Sequence, residues 1–111
     1  MLLLAAASSA CANVQVQDDQ ILCAGETLAR ADAAMNQQWK STYAFMKSMD
    51  AKGVDFGYAA TLLESQRAWL KYRDAQCNAE GAIYYGTSIA ICETRLTNAR
   101  TIELKDLISI N

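Results

Sequence analysis

Histidine and proline are both missing from this sequence. Histidine is the side chain that titrates near neutrality, the commonest zinc ligand and the usual base beside a serine or cysteine nucleophile. Its absence removes the ordinary routes to acid–base, zinc and covalent catalysis. No S-x-x-K pattern replaces them. Asp74, Glu80 and Glu93 can supply a carboxylate pair, but carboxylates are common on helix surfaces and nothing in the sequence raises their pKa. Charge of one sign is scarce too. Ten basic and 12 acidic residues leave a net charge of −2. That is no electrostatic footprint for nucleic acid and no acidic tail for capturing cations. After the N-terminus, no run approaches the roughly 18 apolar residues of a membrane span. These absences point to a binding protein, not an enzyme, without metal or cofactor.

The missing proline has a positive consequence, since nothing interrupts long helices. A length of 111 residues supports one domain. An apolar share of 52% argues against disorder. A chain of this size buries roughly two thirds of its unfolded surface, enough for a core if covalent staples help.

The N-terminus resembles the end of an export signal. Leu2, Leu3, Leu4, Ala5, Ala6 and Ala7 form an apolar run, and Ser8, Ser9 and Ala10 are small residues of the kind a signal peptidase reads. The run is short and no Lys or Arg precedes it, so residues 1–10 read as a leader whose start is missing or misassigned. Residues 11–111 then form the mature domain, placed in the periplasm or secreted. Its first residue would be Cys11. Lipidation there is a rival reading, although Ser8 stands where bacterial lipoproteins usually carry Leu.

The cysteines are Cys11, Cys23, Cys77 and Cys92. An even number behind an export signal suggests two disulfides. A zinc site is disfavoured, because there is no CxxC and no histidine to complete a tetrahedral set.

Helical periodicity dominates the rest. Between Asp18 and about Met49, Leu28, Ala31, Met35, Trp39, Tyr43 and Met46 recur at steps of three or four. Asp18 and Asp19 suit the start of that helix. The stretch Ala51–Gly57 breaks the pattern, with Asp55 as a candidate N-cap. A second helix is expected from Tyr58 to Glu80, with Leu62, Leu63, Trp69, Leu70 and Cys77 on its apolar line and Gln66 and Arg73 on the same side. Glu64, Arg67 and Lys71 fall at helical neighbour spacing as its exposed charges. Gly81–Ser88 reads as a connection. A third helix, about Ile89 to Leu107, turns Cys92, Leu96, Ala99 and Leu104 inward. The expected architecture is all-α, a small antiparallel three-helix bundle stapled by two disulfides. Cys77, late in one helix, and Cys92, early in the next, would then be adjacent, leaving Cys11–Cys23 to pin the N-terminal segment. Two other connectivities are compatible with the sequence.

Three segments carry a family resemblance. They are ADAAMNQQW at 31–39, QRAWLKYRDAQC at 66–77 and CETRLTNARTIEL at 92–104, behind a Cys11/Cys23 pair. The chain resembles the LprI-like lysozyme inhibitor N-terminal domain family, with its pattern Cys…Cys…AD-x-x-LN-x-x-Y, Q-x-x-W-x-x-x-RD-x-x-C and C-x-x-x-L-T-x-x-R-x-x-E-L. The matching positions are Cys11, Cys23, Asp32, Asn36, Gln66, Trp69, Arg73, Asp74, Cys77, Cys92, Thr97, Arg100 and Leu104. Met35 and Trp39 depart from the family's Leu and Tyr, and both remain large and apolar.

The resemblance implies an exported bacterial inhibitor of lysozyme, the muramidase that hosts turn against bacterial walls. The alternative is a structural or accessory envelope domain that binds a bacterial partner protein or the cell wall without inhibiting anything. Physically, the motif residues read first as structural. Trp69 is a core anchor. Arg73 needs an acceptor, for which Asp32 and Glu103 are candidates, and Asn36, Gln66 and Thr97 complete a network with Arg100 and Asp74. The binding candidates lie instead at the Gly81–Ile91 connection: Tyr84 and Tyr85, a residue type enriched at binding hot spots, with Glu80 beside them to meet a cationic cleft.

Overall fold

The computed structural model describes residues 17–53, 56–83 and 88–109. They form three helices: α1 (Gln17–Ala51), α2 (Tyr58–Ile83) and α3 (Ser88–Ser109). Among the described residues there is no strand, and no helix is long and apolar enough to cross a membrane. Each helix packs against both others. The contacts between α1 and α2 run in opposite numerical order, from Asp50 with Tyr58 through Met35 with Gln66 to Asp32 with Arg73. Those between α2 and α3 do the same, from Cys77 with Cys92 to Gln66 with Arg100.

Helix boundaries follow the sequence pattern closely, except at one end. The expected connection at Gly81 begins three residues later, because α2 continues through Gly81, Ala82 and Ile83. An interior glycine costs about 1 kcal/mol relative to alanine, a local penalty that tertiary contacts readily outweigh. Those contacts are present. Cys77 is bonded to Cys92, and Glu80 accepts hydrogen bonds from Gln76 of its own helix and Arg95 of α3.

The turn between α1 and α2 is closed from behind. Gly53 and Gly57 both have positive φ, which side-chain-bearing residues adopt only under strain. The first amides of α2, at Tyr58 and Ala59, donate to the two carboxylate oxygens of Asp50 at 2.8 and 3.1 Å. A carboxylate there satisfies orphan amides and complements the positive end of the helix dipole. The capping carboxylate therefore comes from the end of the preceding helix. Asp55, the expected cap, lies outside the described residues.

The core is small and partly polar. Met35, Leu62 and Leu104 form its apolar centre, with Trp39, Met46, Trp69 and Leu107 packed around them. Beside it are buried Thr42, Thr97, Gln66 and Arg100. Leu70 and Ala99, both expected to face inward, are exposed. The inner lines run Leu62–Gln66–Trp69–Arg73–Cys77 on α2 and Cys92–Leu96–Thr97–Arg100–Leu104 on α3. Leu70 and Ala99 each stand next to an inner residue and are rotated about 100° away from it.

The Cys77–Cys92 disulfide is present, with both sulfurs buried. Closing a loop of 15 residues contributes about 3 kcal/mol in the chain-entropy description. It is the disulfide seen among the described residues. The expected Cys11–Cys23 pairing involves Cys11, which lies outside them, as does the leader at 1–10.

Candidate functional site

Two guanidinium groups organise the interior. Arg73 on α2 is nearly buried. Its Nη1 donates to Asp32 Oδ1 of α1 at 2.9 Å and to Thr97 Oγ1 of α3 at 3.2 Å, joining all three helices. Its Nε sits 3.5 Å from Asp74 and 3.8 Å from Glu93. Those distances give ionic attraction, and Nε makes no hydrogen bond. The plane of the group lies over Trp69, 5.5 Å from the ring centroid, a cation–π contact between neighbouring turns of α2.

Arg100 on α3 is also buried. Its Nε donates to Gln66 Oε1 at 2.9 Å, Nη2 to Ser65 Oγ at 3.0 Å and Nη1 to Glu103 Oε1 at 3.1 Å. Gln66 in turn directs its amide nitrogen at the Met35 sulfur, 3.6 Å away. A third link is Thr42 Oγ1, which donates to the Leu104 carbonyl at 2.9 Å and accepts from Gln38.

The motif residues are thus largely brought together. Asp32, Gln66, Trp69, Arg73, Thr97 and Arg100 take part in these interior contacts, and Asp74, mostly exposed, borders them as an ionic neighbour of Arg73. Of the two acceptors expected for Arg73, Asp32 is correct. Glu103 serves Arg100 instead, and the α3 carboxylate near Arg73 is Glu93, nearly three turns nearer the disulfide. Asn36 is corrected outright: it is exposed, with no side-chain hydrogen bond found among the described residues. One position away on α1, Met35 takes the inward place.

Three carboxylates around one guanidinium leave an excess of negative charge. Glu93 responds to it. Burial pushes its carboxyl above the usual range, Arg73 pulls it down less strongly, and Asp74 and Asp32 add to the rise. A carboxyl whose folded pKa exceeds its unfolded value favours the fold fully only below the unfolded value of 4.5, and that contribution is lost as pH rises through the folded pKa. Glu93→Gln is therefore expected to raise the thermal midpoint at pH 7, with the gain vanishing below about pH 4.5 where both side chains are neutral. Thermal melts of the two proteins across that range check it. A variant less stable than the parent at pH 7 would contradict the sign.

The binding candidates fare differently. Glu80 is occupied: Gln76 donates to it at 3.0 Å and Arg95 at 2.9 Å. The hydrogen bond from Gln76 is the main cause that holds its carboxyl below the usual range; burial opposes it, and Arg95 adds to the lowering. Its charge is matched within the domain, not presented bare to a partner. Arg95 was not singled out in the sequence: counting from Cys77–Cys92 sets Ile89 level with Glu80, and it is the long Arg95 side chain that reaches the carboxylate. Tyr84 and Tyr85 lie outside the described residues. Beside them Ile83, Ile89 and Ile91 are exposed, so the α2–α3 end carries apolar surface.

These elements define a small disulfide-linked helical domain whose internal charges hold its helices together. The chain belongs to the lysozyme inhibitor LprI family, whose model matches residues 7–104. It is also similar to an uncharacterized protein of Rhizobium meliloti (strain 1021), 34% identical over 108 residues that span 88% of this chain and 78% of the relative. No solved structure matches it.

Proposed function

We propose that this domain is exported and inhibits lysozyme by binding it, with the end of the α2–α3 hairpin as the contact. Membership of the lysozyme inhibitor LprI family carries the reading. The opposed order of the helix contacts supports an antiparallel bundle as the scaffold, and Cys11–Cys23 serves as its second staple. A rigid scaffold lowers the entropic cost of association. The buried Cys77–Cys92 bond stands two turns below the end of α2, so it stiffens the base of the connection that holds Tyr84 and Tyr85. Exposed Ile83, Ile89 and Ile91 add apolar area at that end of the hairpin. Because Glu80 is already paired with Arg95, this contact depends on aromatic and aliphatic surface more than on bare negative charge.

A turbidity assay of bacterial wall lysis by lysozyme tests the proposal, using the oxidised domain as the added component. Dose-dependent protection is expected. The double variant Tyr84→Ala/Tyr85→Ala should lose that protection by more than about tenfold while its helical circular dichroism is unchanged. Full inhibition by the double variant removes the assigned contact. No protection by the parent at large excess removes the inhibitor reading and leaves the accessory envelope domain.

A further inference from the structure

At the opposite end from the disulfide, the three helices leave a cavity of about 310 Å³ that opens widely to solvent. Met46 of α1, Leu62 of α2 and Leu107 of α3 supply apolar walls, with Phe56 of the connecting turn beside them and largely exposed. Its lining also includes Arg100, Ser65 and Glu103. Arg100 is the unusual member, a guanidinium nine-tenths buried against an apolar space. Its two terminal nitrogens carry four N–H groups, and each makes one hydrogen bond, to Glu103 and Ser65. Two donors are left over. Glu103 reaches Arg100 from a side chain that is 61% exposed, so it can swing into water at little cost.

From this arrangement we propose that the cavity binds a small carboxylate with an apolar body, its head on Arg100 and its chain between Met46, Leu62 and Leu107. A carboxylate accepts two parallel N–H bonds from a guanidinium, the match that the spare donors require. Glu103 is the intramolecular carboxylate that competes with a ligand head for the same guanidinium charge. A space of this size takes a small molecule or the end of a chain, not a folded partner. A medium-length fatty acid and a peptide C-terminus ending in an aliphatic residue share this chemistry.

The test uses the isotope-labelled oxidised protein with sodium octanoate, 1-octanol and N-acetyl-leucine as probes, following the methyl resonances of Met46, Leu62 and Leu107. Octanoate is expected to shift them saturably, with a Kd of about 1 mM. Octanol is expected to bind about tenfold more weakly, having no charge for Arg100. Glu103→Gln, which removes the competing carboxylate, should tighten octanoate binding severalfold and leave octanol unchanged. A stronger response to octanoate than to N-acetyl-leucine indicates a lipid-derived ligand, and the reverse indicates a peptide terminus; either supports the site. Octanol binding as tightly as octanoate, a Glu103→Gln variant with an unaltered octanoate-to-octanol ratio, or no shift of the three methyl groups overturns it.

Discussion

Replacing Arg73 by methionine is expected to lower the unfolding free energy at pH 7 by about 3 kcal/mol, and the loss should shrink as pH falls below about 5. Methionine keeps most of the aliphatic stem against Trp69 and removes the charge. What remains is Asp32, Asp74 and Glu93 facing one another with no cation between them, and Thr97 Oγ1 without its donor. Removing one member of a buried ion pair costs about 3–5 kcal/mol because its partners stay desolvated and unpaired. Asp32 and Asp74 are exposed enough to rehydrate, which places the effect at the lower end. For a domain of this size the thermal midpoint should fall by roughly 12–20 °C. The pH dependence has a definite sign. Glu93 already prefers its proton in the folded state despite Arg73. Without Arg73, which pulls the Glu93 carboxyl down, that preference strengthens, so acidification through the folded pKa of Glu93 stabilises the variant more than it stabilises the parent. The two curves converge. Urea titrations of both proteins at pH 7, 5 and 4 measure this, and a deficit that does not change with pH would show that packing, not charge, is what Arg73 supplies. Arg73→Lys separates the roles further: it keeps the charge, gives up the fork that spans Asp32 and Thr97, and should recover only part of the loss.

Much of this interior could be anticipated from residue order, and what could not has a common cause. Periodicity placed Ala31 and Met35 on α1, Leu62 and Cys77 on α2 and Leu104 on α3 because apolar side chains declare their face by spacing alone. The same spacing put Arg73 on the buried stripe, and the need of a buried cation for an acceptor led to Asp32. Polar core members are harder to see. Thr42 is wholly buried, yet Tyr43 next to it looked like the continuation of the apolar line. A threonine hydroxyl faces inward only because the Leu104 carbonyl lies within 2.9 Å of it, a fact of helix pairing that no local pattern encodes. Glu93 and Glu103 are both α3 carboxylates, ten positions apart. Choosing between them for Arg73 requires the vertical register of α2 against α3. Cys77–Cys92 fixes one point of that register: equal counting from it brings Arg73 close to Thr97, but it would set Gln66 level with Glu103, whereas the observed partner is Arg100, three residues nearer the disulfide. Asp50 illustrates the same point at the other end, since its capping role depends on how sharply the chain turns at Gly53 and Gly57. The candidate binding residues were the least legible. Nothing in the sequence showed that Arg95 would neutralise Glu80.

Leu104 gives the contrasting case, a loss that pH should not alter. Leu104→Ala is expected to cost about 3–4 kcal/mol at both pH 7 and pH 4. The side chain has no solvent exposure and sits with Met35 and Leu62 at the meeting point of the three helices. Truncation loses the transfer free energy of the removed carbons and adds the cost of the cavity left behind. The site has little room to collapse. Thr42 is anchored to the Leu104 carbonyl, Gln66 is fixed between Met35 and Arg100, and the disulfide limits how far α2 and α3 can slide. The Thr42 hydrogen bond goes to backbone and so survives the substitution, which leaves packing as the only quantity changed. Thermal and urea unfolding of the variant then calibrate the interior: if Leu104→Ala costs less than about 1.5 kcal/mol, the apolar centre is not what holds this domain, and the buried ion pairs with the disulfide must carry a larger share. If it costs the expected amount at every pH while Arg73→Met recovers in acid, the two layers of the core act independently, one apolar and insensitive to protons, the other ionic and set by the charge of Glu93 and its neighbours.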